Sequence, residues 1–163
     1  MITQQLLKEY LEYRDGHLWW IKPRARSINT GQQFGHTTKK GYRRGIFFGK
    51  QVYEHSLIWF YFYGVWPTDK LDHRDTDKSN NDINNLREAT DQQNSFNTKS
   101  RKGSTSKYKG VYWCKRDKKW ISTFMLGGKL NLVGRFDCEV EAAKAYDKAV
   151  EDIHGEYGKL NFG

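Results

Sequence analysis

The sequence predicts a two-part α+β protein built from small antiparallel sheets and short helices. Short runs of apolar residues, separated by glycine-containing turn signals, recur along the chain and are typical of strands and hairpins. A small, polar and basic stretch at residues 98–107 has no hydrophobic periodicity. We therefore expect a basic linker there, between an N-terminal domain at residues 1–97 and a C-terminal domain at residues 108–163.

The N-terminal domain begins with a predicted helix and a predicted strand. Apolar residues recur at helical spacing within Ile2–Tyr13, which favours an amphipathic helix over that range. Asp15–Gly16 is a turn signal that ends the helix, and His17–Ile21 follows as a strand. Lys22–Lys40 contains proline, glycine and basic residues, so we expect a loop.

A β-hairpin and an aromatic-rich helix are predicted next. Gly41–Phe48 and Gln51–Glu54 are the two strands, joined around Gly49–Lys50. His55–Tyr63 is the helix, which the glycine that follows it ends.

The segment Leu71–Asn97 is too polar to be explained by core packing. Asp72 and His73 stand side by side after an apolar residue, Asn85 precedes a Leu-Arg step, and Asn94 lies in a polar helical stretch. The order of apolar, turn-forming and polar residues predicts strand, loop, strand and helix.

This order, Asp-His, then Asn-Leu-Arg, then Asn-x-x-Asn, resembles the HNH motif of phage and intron-encoded homing endonucleases. The resemblance implies an N-terminal ββα-metal nuclease core at 71–97, preceded by a helix and a β-hairpin. It implies that Asp72 and Asn94 hold one divalent ion through oxygen and that His73 is the general base. It also implies that Asn85 braces the loop that holds His73.

The chemistry of phosphodiester hydrolysis agrees with these assignments. Imidazole has an unperturbed pKa of about 6.5, so His73 is suited to activating water near neutral pH. Two protein oxygen ligands leave positions for water and phosphate, which is how Mg²⁺ or a similar ion such as Mn²⁺ is held, and unlike a closed zinc site. Strand alternation would point Asp72 and His73 to opposite faces unless the strand bends or ends at that point.

Two features of the N-terminal domain have two interpretations each. The run Asp75–Asp82 is typical of solvated turns, and it also resembles a calcium loop that lacks the glycine and the closing glutamate. The sequence from Gly41 to His73 resembles the front half of phage HNH nucleases, which implies that His55 contacts phosphate near the active centre. As a histidine at a helix start, His55 would instead cap the helix or pack.

The C-terminal domain has a different pattern. Lys115–Lys119 and Gly127–Lys129 are turns that separate three predicted strands. A helix follows, with Asp137 as its N-cap and a row of alanines on its packed side.

Five stretches of the C-terminal domain resemble the plant Apetala/ethylene-response-factor type of DNA-binding domain. They are Tyr108–Val111, Trp120, Val133–Phe136, Glu141–Asp147 and Leu160–Phe162. The resemblance implies a three-stranded antiparallel sheet that lies in the major groove and packs on one helix. The residues that we expect to contact DNA are Lys109, Tyr112, Arg116, Trp120 and Arg135. Tyr112 departs from the arginine and tryptophan pattern of the plant domains, so the fold carries over better than the specificity.

The charge of the chain indicates the class of its binding partner, and its cysteine content indicates the cellular compartment. Lys and Arg number 28 against 19 acidic residues, which gives a net charge of +9 and indicates a polyanionic partner, here double-stranded DNA. Two cysteines without a C-x-x-C pair agree with a reduced, cytoplasmic setting, which is the host-cell cytoplasm if the chain is phage-encoded. The N-terminus is too polar for a secretory signal and no apolar run approaches about 20 residues, so we expect no membrane contact. No obligate protein partner is inferred.

These observations predict a metal-dependent DNA endonuclease. The alternative is a non-catalytic DNA-binding or regulatory protein with a degenerate nuclease centre, since the basic charge and the C-terminal resemblance do not depend on catalysis. An RNA-binding or RNA-cleaving protein is a third interpretation, because basic and aromatic side chains serve RNA equally well.

Overall fold

The structure is a computed structural model that describes residues 2–23, 25–98 and 103–162. Contacts divide the chain into two compact units, Met1–Thr90 and Asp91–Gly163. Short helices and small antiparallel sheets occur in both units, so the predicted α+β class is confirmed. The division follows Thr90, earlier than the predicted linker at 98–107, and residues 99–102 of that linker lie outside the described residues.

The first unit is assembled from hairpins and two longer helical segments. Its elements are α1 (Gln4–Tyr10), β1 (Leu11–Arg14), β2 (His17–Trp20), β3 (His36–Thr37), β4 (Arg43–Phe47), β5 (Lys50–Tyr53), α2 (Glu54–Tyr63), β6 (Lys70–His73) and β7 (Leu86–Ala89). β1 pairs with β2, β3 and β5 flank β4, and β6 pairs with β7, in each case antiparallel.

The N-terminal helix is shorter than the sequence predicts. Helix α1 ends at Tyr10, and the predicted continuation to Tyr13 is wrong. The next residues form β1 instead, because they pair with β2 across a tight turn in which Asp15 and Gly16 both have positive φ. The pairing completes backbone hydrogen bonds while Leu11 becomes fully buried, which an isolated helical turn at this point would not achieve.

The β4–β5 hairpin turns one residue earlier than predicted. Phe47 pairs with Lys50, so the turn consists of Phe48 and Gly49, whose φ values are 50° and 77°. Two positive φ angles match the right-handed twist of the paired strands. The predicted end of α2 is confirmed, since Gly64 takes a left-handed conformation with φ 71°.

A single apolar core holds the first unit around α2. Phe34 and Phe47 are fully buried together with leucines of α1, β1 and β2. Burying a side chain of this size contributes about 1.5–3 kcal/mol to the free energy of unfolding. Phe34 belongs to the stretch predicted as a loop, and its burial anchors that stretch beside β3. The remaining fully buried core residues of this unit are Leu7, Leu11, Leu18, Leu57 and Ile58.

The segment Leu71–Asn97 has the predicted order of strand, loop, strand and helix. In the β6–β7 hairpin Asp72 lies opposite Arg87, and His73 lies opposite Leu86. The long connection between the two strands ends in a 3₁₀ turn at Ile83–Asn85.

The second unit contains a three-stranded antiparallel sheet packed on one face by a helix. Its elements are α3 (Asp91–Phe96), β8 (Val111–Cys114), β9 (Lys119–Leu126), β10 (Lys129–Phe136), α4 (Glu139–His154) and a 3₁₀ turn at Gly155–Tyr157. β9 is the central strand. Val111 packs against Ala142 and Ala143 of α4, so the predicted alanine row is the packed side of the helix.

Helix α4 begins one residue later than predicted. Cys138 is its N-cap, and Asp137 instead pairs with the ammonium group of Lys119. The prediction of Asp137 as N-cap is therefore wrong, and its exposed carboxylate contacts a residue of β9 instead.

Hydrogen bonds connect the stretch Tyr108–Val111, near the start of the second unit, with the stretch Leu160–Phe162 near its end. Gly110 has φ 75°, and a Cβ there would lie 2.1 Å from the ring of Tyr146, so only glycine fits. The backbone N–H of Asn161 donates to the carboxylate of Asp147 at 2.8 Å, and the Asn161 side chain bonds both backbone groups of Lys109. Gly110, Asp147 and Asn161 therefore have structural roles within the second unit.

Candidate active site

His73 is the last residue of β6 and lies in the interior of the first unit. Only 4 % of its surface is exposed. Its Nε2 lies 2.9 Å from Oδ1 of Asn81, a fully enclosed residue of the connection between β6 and β7. The hydrogen bond fixes the orientation of the imidazole ring.

Asn81 links His73 to a buried carboxylate. Its Nδ2 donates to Oε2 of Glu54 at 2.8 Å, and Glu54 has no exposed surface. Glu54 also accepts a hydrogen bond from the backbone N–H of Leu18 at 3.0 Å and contacts Nδ1 of His17 at 3.1 Å. Glu54 is the first residue of α2, where the helix dipole stabilises negative charge.

His55 lies beside His73 within a cluster of aromatic rings. The two imidazoles are nearly perpendicular with centroids 5.5 Å apart, and His55 stacks on Tyr53 at 5.3 Å and contacts Tyr42 at 5.6 Å. Burial, and then the proximity of His73, lower the pKa of His55 from 6.5 to about 4. Its Nδ1 has no hydrogen-bond partner among the described residues. His55 is therefore neutral near pH 7, and its predicted phosphate contact stays a prediction.

Asp72 forms a buried ion pair with Arg87. Oδ2 of Asp72 accepts hydrogen bonds from Nε and Nη2 of Arg87 at 3.0 and 2.8 Å, and both side chains are 6 % exposed. The two residues are direct neighbours across β6 and β7, which explains their contact. Asp72 thus pairs with Arg87, whereas its neighbour His73 is hydrogen-bonded to Asn81.

Asn85 connects the two ends of the loop that follows His73. Its Oδ1 accepts from the backbone N–H of Asp75 at 3.1 Å, while its Nδ2 donates to Asp75 at 3.0 Å and to the carbonyl of Asn80 at 2.8 Å. The backbone N–H of Arg74 donates to the carbonyl of Asn85 at 2.9 Å. Asn85 therefore contacts both ends of this loop, and its role in supporting His73 stays a prediction.

The acidic run after His73 forms a series of side-chain-to-backbone turns. Asp77 accepts from the backbone and hydroxyl of Ser79, at 2.9 and 2.6 Å. Burial acts to raise the pKa of Asp75, but hydrogen bonds from Asn80, Asp77 and Asn85 outweigh it and lower the pKa. These contacts are those of a solvated turn, as the sequence favours for this run.

The predicted metal ligands lie in different units. Asp72 belongs to the first unit, whereas Asn94 lies on α3 in the second. Within residues 2–23, 25–98 and 103–162, no three side chains of the His, Cys, Asp and Glu types are arranged to hold a metal ion. Carboxylate and amide oxygens nevertheless suit a hard ion that keeps most of its waters.

The residues predicted to contact DNA occupy different surroundings in the second unit. Tyr112 and Arg135 both lie across from Ile121 and so share one face of the sheet, whereas Trp120 packs towards α4. Arg116 is exposed and pairs with a neighbouring aspartate, which Arg135 also contacts at 3.5 Å.

Lys109 is partly buried. Its ammonium group donates to the backbone carbonyl of Phe96 at the end of α3. Burial, and then the charge of Lys159, lower the pKa of Lys109 to about 8. Lys109 therefore has an intramolecular partner as well as its predicted role at phosphate.

Glu54, Asn81 and Arg87 are site residues that the sequence interpretation missed. Glu54 lies where the predicted hairpin ends and the predicted helix begins, so no pattern distinguishes it. Asn81 lies within a run that is typical of exposed turns. The signal in the sequence that could have identified Glu54 is its position directly before His55 at the start of a predicted helix.

Together, the fold and this site define an α+β protein whose first unit has a buried histidine at the end of a β-hairpin and whose second unit contains a small sheet. The family model for HNH endonucleases matches residues 52–96, which include both strands of that hairpin, His73 and α3.

Two relatives extend the similarity over most of the chain. A mimivirus protein named as an uncharacterized HNH endonuclease, from Acanthamoeba polyphaga mimivirus, is 32 % identical over 124 residues, which are 76 % of this chain and 64 % of that protein. Protein 3.8 of Escherichia phage T7 is 30 % identical over 123 residues, 75 % of this chain and 98 % of that protein. Residues 52–96 are thus an HNH endonuclease domain, and the chain spans a little under two thirds of the mimivirus protein that carries that name.

No solved structure matches the chain. No helix in the described part of the chain is both long and apolar enough to cross a membrane.

Proposed function

We propose that this protein is a metal-dependent endonuclease that hydrolyses phosphodiester bonds in DNA. The observation that supports this most directly is the placement of His73, which falls within the HNH family match and is held at the end of β6 by a buried hydrogen bond. In this proposal His73 is the general base that takes a proton from the attacking water.

One divalent ion, Mg²⁺ or Mn²⁺, is proposed to be held by Asp72 and Asn94. HNH nucleases generally use a divalent metal, and when bound it supplies positive charge at the phosphate. Asp72 would contribute a carboxylate that also pairs with Arg87. Asn85 acts indirectly, because its hydrogen bonds hold the loop that begins directly after His73.

The second unit is proposed to position double-stranded DNA, as the resemblance to the Apetala/ethylene-response-factor type implies. Support comes from the basic balance of the chain, +9, which provides sequence-independent attraction to phosphates. Tyr112 and Arg135 present one face of the sheet, with Arg116 exposed at the β8–β9 turn. Lys109 and Trp120 are partly buried, so their contribution includes holding the unit together.

A non-catalytic DNA-binding protein is the second candidate. The observation that favours it is the buried pair of Asp72 and Arg87, since an aspartate neutralised by arginine attracts a cation less strongly. Both candidates bind DNA, so cleavage separates them.

The test is incubation of the full chain with supercoiled plasmid across a titration of Mg²⁺ and of Mn²⁺. His73→Ala should cut the chemical step by about 10²–10⁴-fold without moving the metal midpoint, because it removes the base and no ligand. Asp72→Ala and Asn94→Ala should instead raise the metal concentration required. Exposed His36→Ala is the matched control.

Three outcomes would contradict the proposal. If His73→Ala moves the midpoint as far as Asp72→Ala, His73 is a ligand and not the base. Parent-like cleavage by all three site variants would place the chemistry elsewhere. Absence of cleavage by the parent with either ion would favour the non-catalytic candidate.

A further inference from the structure

A buried hydrogen-bonded chain runs from α2 to the proposed general base. It consists of Glu54, Asn81 and His73, with exposed fractions of 0, 1 and 4 %. The two hydrogen bonds that connect them measure 2.8 and 2.9 Å. The chain lies wholly within the first unit, and none of its members is a proposed metal ligand.

The direction of this chain follows from the charge of Glu54. A carboxylate accepts hydrogen bonds and donates none. Leu18 and Asn81 both donate to it, His17 contacts it, and the first turn of α2 favours its negative charge. The NH₂ group of Asn81 must therefore face Glu54.

The orientation of Asn81 determines which nitrogen of His73 carries the proton. With its NH₂ group directed at Glu54, Asn81 presents its oxygen to Nε2 of His73. An oxygen acceptor requires a donor opposite it, so Nε2 carries the hydrogen. In the neutral ring Nδ1 is then the nitrogen that holds the lone pair.

We propose that Glu54 and Asn81 are positioning residues that fix His73 in its Nε2–H tautomer, so that Nδ1 is the atom that accepts the proton from the attacking water. This inference rests on the proposed function of His73 as general base. The proton transferred from water goes to Nδ1, and the resulting imidazolium keeps its Nε2–H bond to Asn81. Glu54 acts only as a hydrogen-bond acceptor in this step and exchanges no proton with the substrate.

Glu54→Gln tests the inference because it changes the direction of the hydrogen bonds and hardly the shape. The backbone N–H of Leu18 still requires an acceptor, so the new amide oxygen takes the place of Oε1. The new NH₂ group then faces Asn81, which must turn its own oxygen towards it. Asn81 would present NH₂ to His73, and the ring proton would move to Nδ1.

Two readouts follow this change in the full-length protein. The ¹H–¹⁵N correlation spectrum of the imidazole rings reports the tautomer of His73 without any need for activity. Plasmid cleavage at saturating metal and varied DNA separates kcat from KM. For Glu54→Gln we expect the Nδ1–H tautomer, a fall in kcat of at least about 10²-fold, and an unchanged KM. An inverted tautomer costs about 10⁴-fold in Ser-His-Asp hydrolases.

His17→Phe is the matched control. It removes a contact to the same carboxylate oxygen but leaves Glu54 charged and Asn81 in its orientation. We expect the Nε2–H tautomer and a kcat close to that of the parent. A tautomer change in His17→Phe would show that any damage to the network has this effect, and would overturn the specific roles of Glu54 and Asn81.

Asn81→Ala serves if Glu54→Gln does not fold. It should abolish the exchange-protected Nε2–H signal of His73 and lower kcat with little change in KM. A persisting protected signal, or parent-like cleavage by either variant, would overturn the inference. The proposed function fails separately, by parent-like cleavage in His73→Ala or by no cleavage in the parent, and the tautomer spectrum remains informative in both cases.

Discussion

Burial of His55 predicts that the first unit loses stability on acidification. His55 is 8 % exposed and is packed among Tyr42, Tyr53 and His73. Burial and the neighbouring His73 lower the pKa of His55 to about 4, against 6.5 for the unperturbed side chain. The unfolded chain therefore binds a proton at a higher pH than the folded chain does.

The sign and size of the effect follow from this difference. A histidine with a lowered folded-state pKa contributes stability that is fully present above pH 6.5 and is lost as the pH falls to about 4. A pKa difference of about 2.5 corresponds to about 3 kcal/mol, a substantial part of the stability of a small unit.

Urea unfolding between pH 4 and pH 8 checks this prediction. The methyl resonances of Ile58, a fully buried residue of α2, report the first unit specifically. His55→Phe keeps an aromatic ring and removes the titration, so its unfolding free energy should vary with pH by about 3 kcal/mol less than that of the parent. Exposed His36→Phe is the control and should keep the parent's dependence. An unchanged pH dependence in His55→Phe would refute the reasoning.

Three further predictions follow from the ion pairs and the two units. Arg87→Ala should destabilise the protein by about 3–5 kcal/mol in thermal or urea unfolding, because it removes the guanidinium from a buried ion pair, and adding Asp72→Ala should restore part of the loss; an additive double variant would contradict the coupling. Lys109→Ala should lower the affinity for all DNA sequences alike, whereas Arg116→Ala should lower the affinity about tenfold for a preferred sequence only. Equal losses of affinity for random DNA in both variants would exclude base readout by Arg116. The fragment Asp91–Gly163 should fold alone and bind duplex DNA with an affinity that falls as salt rises, and an unfolded fragment would contradict independent units.

Local patterns predicted most of the secondary structure. Gly64 was recognisable as a helix end, because glycine adopts the left-handed conformation at little cost, and it has φ 71° there. The turns of the second unit were equally visible, since Gly127 and Gly128 supply two positive φ angles between β9 and β10. These signals depend on neighbouring residues alone, so they can be found without the fold.

The errors arose where distant residues decided the outcome. The residues up to Tyr13 have helical spacing, yet strand pairing with β2 ended α1 at Tyr10. Asp137 has the chemistry of an N-cap, but its side chain contacts Lys119 of β9, and Cys138 is the N-cap. For α1, the strand pairing supplied backbone hydrogen bonds and the burial of Leu11, and this tertiary context overrode helix propensity.

The sequence by itself determined the α+β class, the strand-loop-strand-helix order around His73, and the chemical types that suggest a nuclease. These features follow from local periodicity, turn residues and side-chain chemistry. Tertiary structure alone decided that Glu54 and Asn81 join His73 in one buried chain, and that Asp72 pairs with Arg87. Buried polar groups are almost always hydrogen-bonded, and their partners can be far away in the sequence. The local sequence therefore does not identify those partners.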